Sequence, residues 1–467
     1  MGLVIIDLRQ FLLIAATGQL LGSALVASDI PVVGFPVPEL KVLDDTMLEL
    51  MEENSISAGS LSVMRNGAIV FHHVYGWQDR EKTKPLRPDA MFRVASVTKP
   101  FTAAAVRQLI SDGEFSLDSK VFSLGVPEAG LLDYVPFGTP DVRLGDVTVD
   151  HLLRHYGGWD RTIAGDLTYR EKTIADAMDV ASPPGRENTV RYIMGQPLQY
   201  DPGTTYAYSN IGYLLLGLIV ETASGKSYED YVGEHVVGAS GGTADGWLMG
   251  RTFLGDQDPR EPFYDSPGSA NNVFYPDSSV EPTVEWPYGS FDLEARTGQG
   301  RIVAHGSVIL KFLNKFQVSG PNIGRARPLP GGWRWNHTGS LSGTNSLARQ
   351  RGDGINYAVI FNKRPSSGTS YASRMRTTLD DVFDSGTITW PTTDISELAP
   401  PVPTISLDAA TGSLTCETEW GLHYQWQHSN TLGTWSEHLE PFVGSGETVG
   451  QPIESDTRSF YRVFVRQ

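Results

Sequence analysis

Residues 96–111 read SVTKPFTAAAVRQLIS, and this stretch decides the fold of the chain. Its apolar residues recur at the spacing of one helix face, which predicts an α-helix over residues 96–111. Pro100 falls in the first turn of that helix, where the missing backbone N–H has no helical partner to lose. The serine at position 96 is therefore expected at a helix N-terminus.

The same stretch holds the only Ser-x-x-Lys pattern in the chain, formed by Ser96 and Lys99. Residues three apart share one face of a helix, so the amine can reach the hydroxyl. A serine hydroxyl becomes a good nucleophile when a neighbouring base takes its proton, and a lysine serves as that base where burial and positive potential keep it neutral. The helix N-terminus supplies part of that potential and directs backbone N–H groups at a developing oxyanion.

Tyr208-Ser209-Asn210 is the only Tyr-x-Asn pattern, and it stands at the start of a predicted helix over residues 210–225. A tyrosine beside cations can have its pKa lowered enough to move protons, and an asparagine amide can orient both a lysine and a substrate carbonyl. The same residues also fit a Ser-Asn helix cap after a turn. The two interpretations are compatible.

A third motif consists of His337, Thr338, Gly339 and Ser340. A positively polarised histidine, a hydroxyl donor and a glycine that permits close approach are expected to line one wall of a cleft, with the Ser340 N–H as an oxyanion donor. Arg296-Thr297-Gly298 is a competing match. We favour His337, because its motif opens a pair of predicted strands, whereas Arg296 precedes a glycine-rich loop.

These three motifs, in this order, resemble those of the serine β-lactamase and penicillin-binding-protein superfamily. The class C branch, with the serine D-alanyl-D-alanine carboxypeptidases, is the closest type. The resemblance covers roughly residues 40–384 and includes residues 91–95, 148–155 and 202–204. It implies an α+β fold in which an antiparallel sheet is flanked by helices and joined to a helical subdomain, with the site between them.

The resemblance also implies a role for each motif. Ser96 would be the acylated nucleophile, Lys99 its base partner and Tyr208 the proton shuttle. Asn210 would bind the substrate carbonyl, and the third motif would face the substrate. Class C β-lactamases usually have a lysine where this chain has His337, which counts against efficient cephalosporin hydrolysis.

The sequence therefore predicts a serine hydrolase that cleaves an amide or ester bond of a small-molecule or peptide substrate through an acyl-enzyme on Ser96. No metal or organic cofactor is predicted. One alternative is a family VIII-like carboxylesterase on the same fold, and another is a catalytically silent, penicillin-binding-like protein. Residues 238–289 match no motif, are rich in Gly, Pro, Asp and Ser, and are expected to form specificity loops around the site.

Two rival sites compete with this interpretation. Residues 238–242 fit the Gly-x-Ser-x-Gly elbow and would make Ser240 the nucleophile, but the glycines that follow it are a poor helix start. His151 and His155 are spaced to share one face of a predicted helix over residues 149–155. No third ligand is evident and Leu152 occupies the position of a catalytic glutamate, so structural histidines are favoured.

Other patterns divide the chain into segments. A hairpin is predicted over residues 59–76, helices over 307–316 and 372–383, and strands over 346–351 and 357–362. The predicted organisation is a signal peptide at 1–27, the hydrolase domain at 37–386, a Pro-rich linker at 387–403 and a small β-sandwich module at 404–467. Trp420, Trp426 and Trp435 in that module would form either a carbohydrate- or cell-surface-binding face or a core.

The net charge and the cysteine content exclude several kinds of partner and of stabilising cross-link. The formal net charge is −17, which opposes binding to nucleic acids or to anionic membrane surfaces. The single cysteine, Cys416, admits no intrachain disulfide and no cysteine-based zinc cluster. The N-terminal apolar stretch is interrupted too early for a membrane span, and export of the protein is expected.

Overall fold

A computed structural model describes residues 30–126 and 128–397, together with the strands that lie between residues 405 and 466. The strands up to residue 397 are β1 (Val32–Gly34), β2 (Ala58–Arg65), β3 (Ala68–Gly76), β4 (Phe92–Arg93), β5 (Trp247–Met249), β6 (Ser269–Asn271), β7 (Thr283–Glu285), β8 (Ile302–Ala304), β9 (Arg334–Leu341), β10 (Thr344–Arg351) and β11 (Ile355–Phe361). The helices are α1 (Lys41–Glu53), α2 (Thr98–Asp112), α3 (Val149–Leu153), α4 (Arg161–Ala164), α5 (Glu171–Met178), α6 (Gly185–Met194), α7 (Asn210–Ser224), α8 (Tyr228–Val232), α9 (Thr297–Gly300), α10 (Gly306–Lys315) and α11 (Tyr371–Asp384).

The centre of the fold is a six-stranded antiparallel sheet in the order β1-β3-β2-β11-β10-β9. The hairpin predicted over residues 59–76 is confirmed as β2 and β3. Its turn is made by Asn66 and Gly67, both with positive φ, as the twist of a tight hairpin requires. Strand β9 forms one edge of the sheet, and one of its faces packs against the turn that precedes α2.

Helices cover both faces of this sheet, which confirms the α+β class. On one face, α1 and α11 bury Met47 and Leu379 against strand residues such as Val359. On the other face lies α10, and beyond it α2, with the rings of Phe101 and Phe312 stacked at 4.1 Å. The apolar layers on the two faces leave the central strand β11 buried along its whole length.

Helix α7 packs against α2. It is buried continuously from Asn210 to Val220, and a helix that is apolar on all sides belongs in the interior. It begins at Ser209, whose hydroxyl accepts a hydrogen bond from the Gly212 N–H, and it ends at Gly225 in the left-handed conformation. The helix predicted over residues 210–225 is thus confirmed, including its serine cap.

Most other predicted elements are also confirmed. The helices predicted over residues 96–111, 307–316 and 372–383 correspond to α2 and its preceding turn, α10 and α11. The strands predicted over 346–351 and 357–362 correspond to β10 and β11. Helices α1, α5 and α6 were not predicted. The helix predicted over 149–155 is wrong at its end, because α3 stops at Leu153 and His155 has a φ of 63°.

Residues 238–289 are mostly loops, as predicted, with the short strands β5, β6 and β7 among them. The alternative nucleophile, Ser240, does not lie in the strand-turn-helix structure that a nucleophile elbow requires. A π-helical segment, Gly233–Val237, precedes this residue where a strand would be needed, and the Ser240 hydroxyl donates a hydrogen bond to the Val237 carbonyl. Ser240 therefore ends a short helical turn.

The C-terminal strands are β12 (Ile405–Asp408), β13 (Ser413–Glu417), β14 (His423–Ser429), β15 (Ser436–Glu437), β16 (Phe442–Val443), β17 (Thr448–Pro452) and β18 (Phe460–Arg466). They form two antiparallel sheets, one of three strands and one of four, in keeping with an all-β segment. The predicted signal peptide, residues 398–403 of the linker, and Trp420 and Trp435 lie outside the described residues. Within the described part of the chain, no helix has the length and apolar character of a membrane span.

Candidate active site

The backbone around Ser96 is held in an unusual conformation. Strand β4 leads into a 3₁₀ turn, Ala95–Val97, which runs directly into α2. Ala95 has a φ of 49°, a left-handed conformation that costs a residue with a side chain about 1–3 kcal/mol. The Val94 N–H donates to the Ile302 carbonyl at 2.9 Å and so anchors the turn. The strained turn leaves the Ser96 side chain only partly buried, facing a cleft.

Lys99 lies one helical turn further on and is fully buried. Its Nζ is 3.1 Å from Ser96 Oγ, 2.8 Å from Asn210 Oδ1 and 2.7 Å from the Gln299 carbonyl oxygen. A neutral amine has two N–H donors and one lone pair. The amide and carbonyl oxygens can take the two donors, which leaves the lone pair directed at the serine hydroxyl.

The electrostatics favour that neutral form. Burial lowers the pKa of Lys99 from its ordinary 10.5 to about 7. The Asp166 carboxylate acts in the opposite direction, and the Arg161 guanidinium adds to the lowering. An amine with a pKa of about 7 is a suitable general base at neutral pH.

Asn210 lies behind Lys99 and does not line the cleft beside Ser96. Its Oδ1 accepts from Lys99, while its Nδ2 donates to Asp166 at 2.6 Å. The amide expected to bind a substrate carbonyl is thus engaged with the lysine and an acid that no sequence motif marked. Asp166 belongs to a loop turn in which its carboxylate also accepts from the N–H and hydroxyl of Thr168.

Tyr208 lines the cleft together with Ser96 and the residues of β9. The cations do not lower its pKa as expected from the sequence. Burial raises the pKa of Tyr208 to about 12, against the smaller lowering effects of the Ser96 hydrogen bond and the Arg161 guanidinium. The phenol therefore stays protonated near neutral pH and can act as an acid.

His155 helps to fix the position of that tyrosine. Its ring lies 4.5 Å from the Tyr208 ring, and its Nδ1 accepts from the Ser209 N–H at 3.2 Å. Burial, with a smaller contribution from Lys99, lowers the pKa of His155 to about 3, so the ring is neutral. His155 lies beyond the end of α3, apart from the helix that carries His151. Among the described residues, no three His, Cys, Asp or Glu side chains group as metal ligands.

The third motif occupies β9 and faces Ser96 across the cleft. Gly339 packs against the turn before the nucleophile, where a Cβ atom would lie closer than 3.0 Å to the Val94 carbonyl oxygen. Thr338 and the exposed Ser340 line the cleft. Because β9 is an edge strand, alternate backbone N–H groups point away from β10 and towards the cleft.

His337 also lines the cleft, but it is not the positively polarised group that the sequence predicted. Burial, with a smaller contribution from the Lys99 charge, lowers the pKa of His337 to about 3. The imidazole is therefore neutral at physiological pH. One ring nitrogen, Nδ1, lies 3.0 Å from the Thr338 carbonyl oxygen, to which it can donate a hydrogen bond.

The competing motif at Arg296 occupies a different position. Arg296 is buried in an ion pair with Glu171, and a Cβ atom at Gly298 would collide with the backbone of α7. The segment forms a 3₁₀ turn and the short helix α9, not the loop expected from its glycines. Its contribution to the site is the Gln299 carbonyl that accepts from Lys99.

The cleft has a volume of about 780 Å³. Besides the predicted residues it is lined by side chains that sequence reasoning missed, among them Arg154, His155, Tyr156, Arg161, Tyr206 and Asn336. The motif over residues 148–155 was a signal for the first two, whereas Arg161 lies in no motif. Residues 238–289 are all described and none of them lines the cleft, so they are not the specificity loops expected.

Residues of this segment instead contact Arg93, in the strand that leads to the nucleophile. The Tyr264 hydroxyl accepts from the Arg93 N–H at 2.6 Å, and the buried Arg93 guanidinium donates to the carbonyls of Arg251 and Pro287. Arg93 also lies over the Tyr264 ring at 4.3 Å. Residues 251–287 therefore hold the strand that leads into the strained turn.

Known proteins with related sequences match part of this chain. It is 33% identical over 190 residues to Esterase EstB of Burkholderia gladioli, covering 39% of this chain and 45% of that protein. It is 32% identical over 232 residues to the probable fimbrial assembly protein FimD, serogroup H1, of Dichelobacter nodosus, covering 48% of this chain and 52% of that protein. The chain thus spans about half the length of these curated relatives.

A solved structure supports the fold, and a family model covers most of the chain. The octameric penicillin-binding protein homologue from Pyrococcus abyssi aligns with a TM-score of 0.53 at 20% identity, covering 92% of this chain and 96% of that one. The Beta-lactamase family model matches residues 43–378, which is well over half of the sequence and contains all three motifs. The chain therefore belongs to the beta-lactamase family.

Proposed function

We propose that this protein is a serine hydrolase of the β-lactamase/D-alanyl-D-alanine carboxypeptidase type, which cleaves an amide or ester bond through an acyl-enzyme on Ser96. The observation that carries the proposal is the distance of 3.1 Å between Lys99 Nζ and Ser96 Oγ, with the pKa of Lys99 lowered to about 7. A nucleophile and a base in hydrogen-bonding contact, with the base neutral at working pH, are what covalent catalysis requires.

In the acylation step, Lys99 takes the proton of the Ser96 hydroxyl while Oγ forms a bond to the substrate carbonyl carbon. The carbonyl oxygen becomes an oxyanion, which we propose is bound by the backbone N–H groups of Ser96 and Ser340. The low pKa of Lys99 supports it as the base in preference to Tyr208, whose pKa is about 12.

In the next step the carbon–oxygen or carbon–nitrogen bond of the substrate breaks. The departing atom takes a proton from Tyr208, and the proton held by Lys99 restores the tyrosine. A water molecule then attacks the carbonyl carbon of the acyl-enzyme and gives a proton to Lys99. The C–Oγ bond breaks as Lys99 passes that proton to Oγ, which releases the acid and regenerates both the Ser96 hydroxyl and the neutral amine. Asn210 and the Gln299 carbonyl hold the amine in place throughout.

A carboxylesterase on the same fold is the second candidate. The neutral His337 supports it, because β9 then offers no cation for a substrate carboxylate at the place where class C β-lactamases usually have a lysine. The 33% identity to Esterase EstB is in line with this candidate. An ester is also the least demanding substrate, since an alkoxide leaves with less help from an acid than an amine needs.

The experiment is a side-by-side assay of p-nitrophenyl butyrate, nitrocefin and a D-Ala-D-Ala peptide, together with labelling by a fluorophosphonate probe. We expect labelling at Ser96 and hydrolysis of the ester by the wild type. Ser96→Ala should abolish both, and Ser240→Ala should leave both intact. Failure of the wild type to label or to hydrolyse any of the three substrates would favour a catalytically silent binding protein.

We also propose a boundary between the hydrolase domain at residues 37–386 and a separate β module at 404–467, connected by the Pro-rich segment 387–403. The two C-terminal sheets, whose strands pair only with one another among the described residues, support this division. Limited proteolysis should then cut first within residues 387–403. A first cut inside the β module, with the linker intact, would contradict the division.

A further inference from the structure

We propose that Arg161 is a specificity-determining residue that binds a carboxylate carried by the leaving group of the substrate. This inference rests on the acyl-enzyme function proposed above. It assigns a task to a side chain that lines the cleft, belongs to none of the three motifs and is carried by α4 and not by β9.

The positive groups around the cleft differ in how far their charges are already compensated. Arg154 donates to the Asp150 carboxylate at 3.0 Å. Lys99 is buried, with its pKa lowered to about 7, and its amine contacts three oxygen atoms of the protein. His155 and His337 are neutral near pH 7 because burial lowers the pKa of each to about 3. An anionic substrate would therefore find little unpaired charge at any of these positions.

Arg161 is different. It is the first residue of α4, its side chain is exposed, and its guanidinium forms no ion pair or hydrogen bond within the described part of the chain. No Asp or Glu is among the described residues that line the cleft. Asp160 and Asp166 border a separate small pocket that Arg161 also lines, and neither forms an ion pair with it. A carboxylate entering the cleft would thus meet a guanidinium whose N–H donors are free and a lining without acids, which favours a charge-assisted contact.

The position of Arg161 indicates which part of the substrate it would bind. Its guanidinium carbon lies 4.8 Å from the centre of the Tyr208 ring, and both residues line the same cleft as Ser96. The guanidinium therefore lies on the ring of the residue that we propose as the proton donor. Because Tyr208 is the proposed proton donor to the departing atom, the leaving group departs on the side of the cleft where Arg161 lies.

The side chain is also prepared for this task. Stacking on an aromatic face restricts a guanidinium without using its N–H donors, so those donors stay available for a planar carboxylate. The N-cap Asp160 accepts from the Thr162 N–H at 2.7 Å and fixes the backbone from which Arg161 projects. Less conformational freedom is then lost when a ligand binds.

The test uses two esters that differ by one carboxylate on the leaving group, phenyl acetate and 3-carboxyphenyl acetate. The measured quantity is the ratio of kcat/KM for the anionic ester to kcat/KM for the neutral one. We expect Arg161→Gln to lower this ratio by about 10- to 100-fold, the effect of losing one hydrogen-bonded charge pair. Arg161→Lys should restore part of it, because the charge returns without the bidentate geometry.

Arg154→Gln is the matched control, since it removes a guanidinium at the same cleft whose charge Asp150 already compensates. We expect its ratio to stay within about twofold of the wild type. Monophenyl succinate, which carries its carboxylate on the acyl part, is the second control and should lose less than the leaving-group acid does. If Arg161→Gln lowers the kcat/KM ratio equally for both anionic esters, Arg161 attracts any anion to the cleft without regard to the position of its charge. That result would overturn the assignment.

The two proposals can fail separately. If the wild type hydrolyses phenyl acetate and forms an acyl-enzyme on Ser96, but Arg161→Gln leaves the ratio unchanged, the role of Arg161 is overturned and the proposed function stands. If the wild type neither hydrolyses either ester nor labels at Ser96, the proposed function fails and the role of Arg161 fails with it.

Discussion

The Asp166 carboxylate accepts a hydrogen bond of 2.6 Å from Asn210, and the same amide accepts one of 2.8 Å from Lys99. The acid therefore orients the amide that holds the proposed base, and its negative charge raises the pKa of Lys99. Without that charge the ammonium form is less favourable and the pKa of Lys99 falls. We predict that Asp166→Asn, which keeps an acceptor oxygen, moves the acidic limb of the kcat/KM profile to lower pH.

The control is Asp160→Asn, a nearby carboxylate that caps α4 and accepts from Tyr200 at 3.0 Å. It is not among the charges that shift Lys99. Its acidic limb should coincide with that of the wild type. A limb that moves to higher pH in Asp166→Asn would contradict the assignment of Lys99 as the base.

The wild-type pH profile follows from the same two groups. Lys99 acts when neutral, so kcat/KM for phenyl acetate should rise with an apparent pKa of about 7 and then level off. Tyr208 acts when protonated, and its pKa of about 12 predicts no decline from this residue below pH 10. A stopped-flow profile from pH 5 to 10 measures the rise and the plateau, and a bell centred on neutral pH would argue against these roles.

Replacing the lysine separates catalysis from folding. Lys99→Met keeps the volume of the side chain but removes the base, and we expect acylation of Ser96 by a fluorophosphonate to slow by about 10²- to 10⁴-fold. Retained labelling at the wild-type rate would exclude Lys99 as the base.

The stability of the same variant provides a second readout. The pKa of Lys99 is about 7 in the folded protein against 10.5 as its ordinary value, so the folded state binds fewer protons between these values. The lysine therefore costs stability increasingly as the pH falls from 10.5 to 7. We predict that Lys99→Met gains Tm relative to the wild type, and that the gain is larger at pH 7 than at pH 10. Calorimetry at the two pH values tests this; an equal gain would mean that the lysine is charged in both states.

Gly339 tests the contact between β9 and the nucleophile turn. A methyl group there would collide with the Val94 carbonyl and the Ser346 hydroxyl, so Gly339→Ala should destabilise the protein by about 1–3 kcal/mol. Because the turn carries Ser96, kcat/KM should fall by about 10²-fold. Gly332→Ala is the control, since its methyl group meets no atom within 4 Å. Equal effects of the two substitutions on urea unfolding and turnover would contradict the argument.

The sequence predicted those features that depend only on residues close together in the chain. Ser96 and Lys99 share one helix turn, and Asn66-Gly67 makes a tight hairpin whatever surrounds it, so both could be inferred from periodicity and turn chemistry. The resemblance placed the three motifs around one cleft, although nearly 240 residues separate the first from the third.

The groups that sequence reasoning missed act through distant contacts. Asp166 and Arg161 lie in irregular segments whose patterns have no period, and only the tertiary fold brings them to Lys99 and Tyr208. The charge states of two residues were predicted wrongly for a related reason. A positively polarised His337 and a lowered pKa of Tyr208 were expected from neighbouring charges alone. Burial, which only the fold reveals, is the largest influence on both pKa values.

The position of β9 at the edge of the sheet has a consequence for solubility. An edge strand offers unpaired backbone groups to any extended chain, including a second copy of the same protein. Here the turn that carries Ser96 lies on one face of β9 and β10 beside this edge, with Gly339 packed against the Val94 carbonyl and the Ser346 hydroxyl donating to that carbonyl at 2.7 Å. A substitution that displaces the nucleophile turn would therefore uncover a sheet face next to an unpaired edge, which favours self-association as well as disturbing the chemistry.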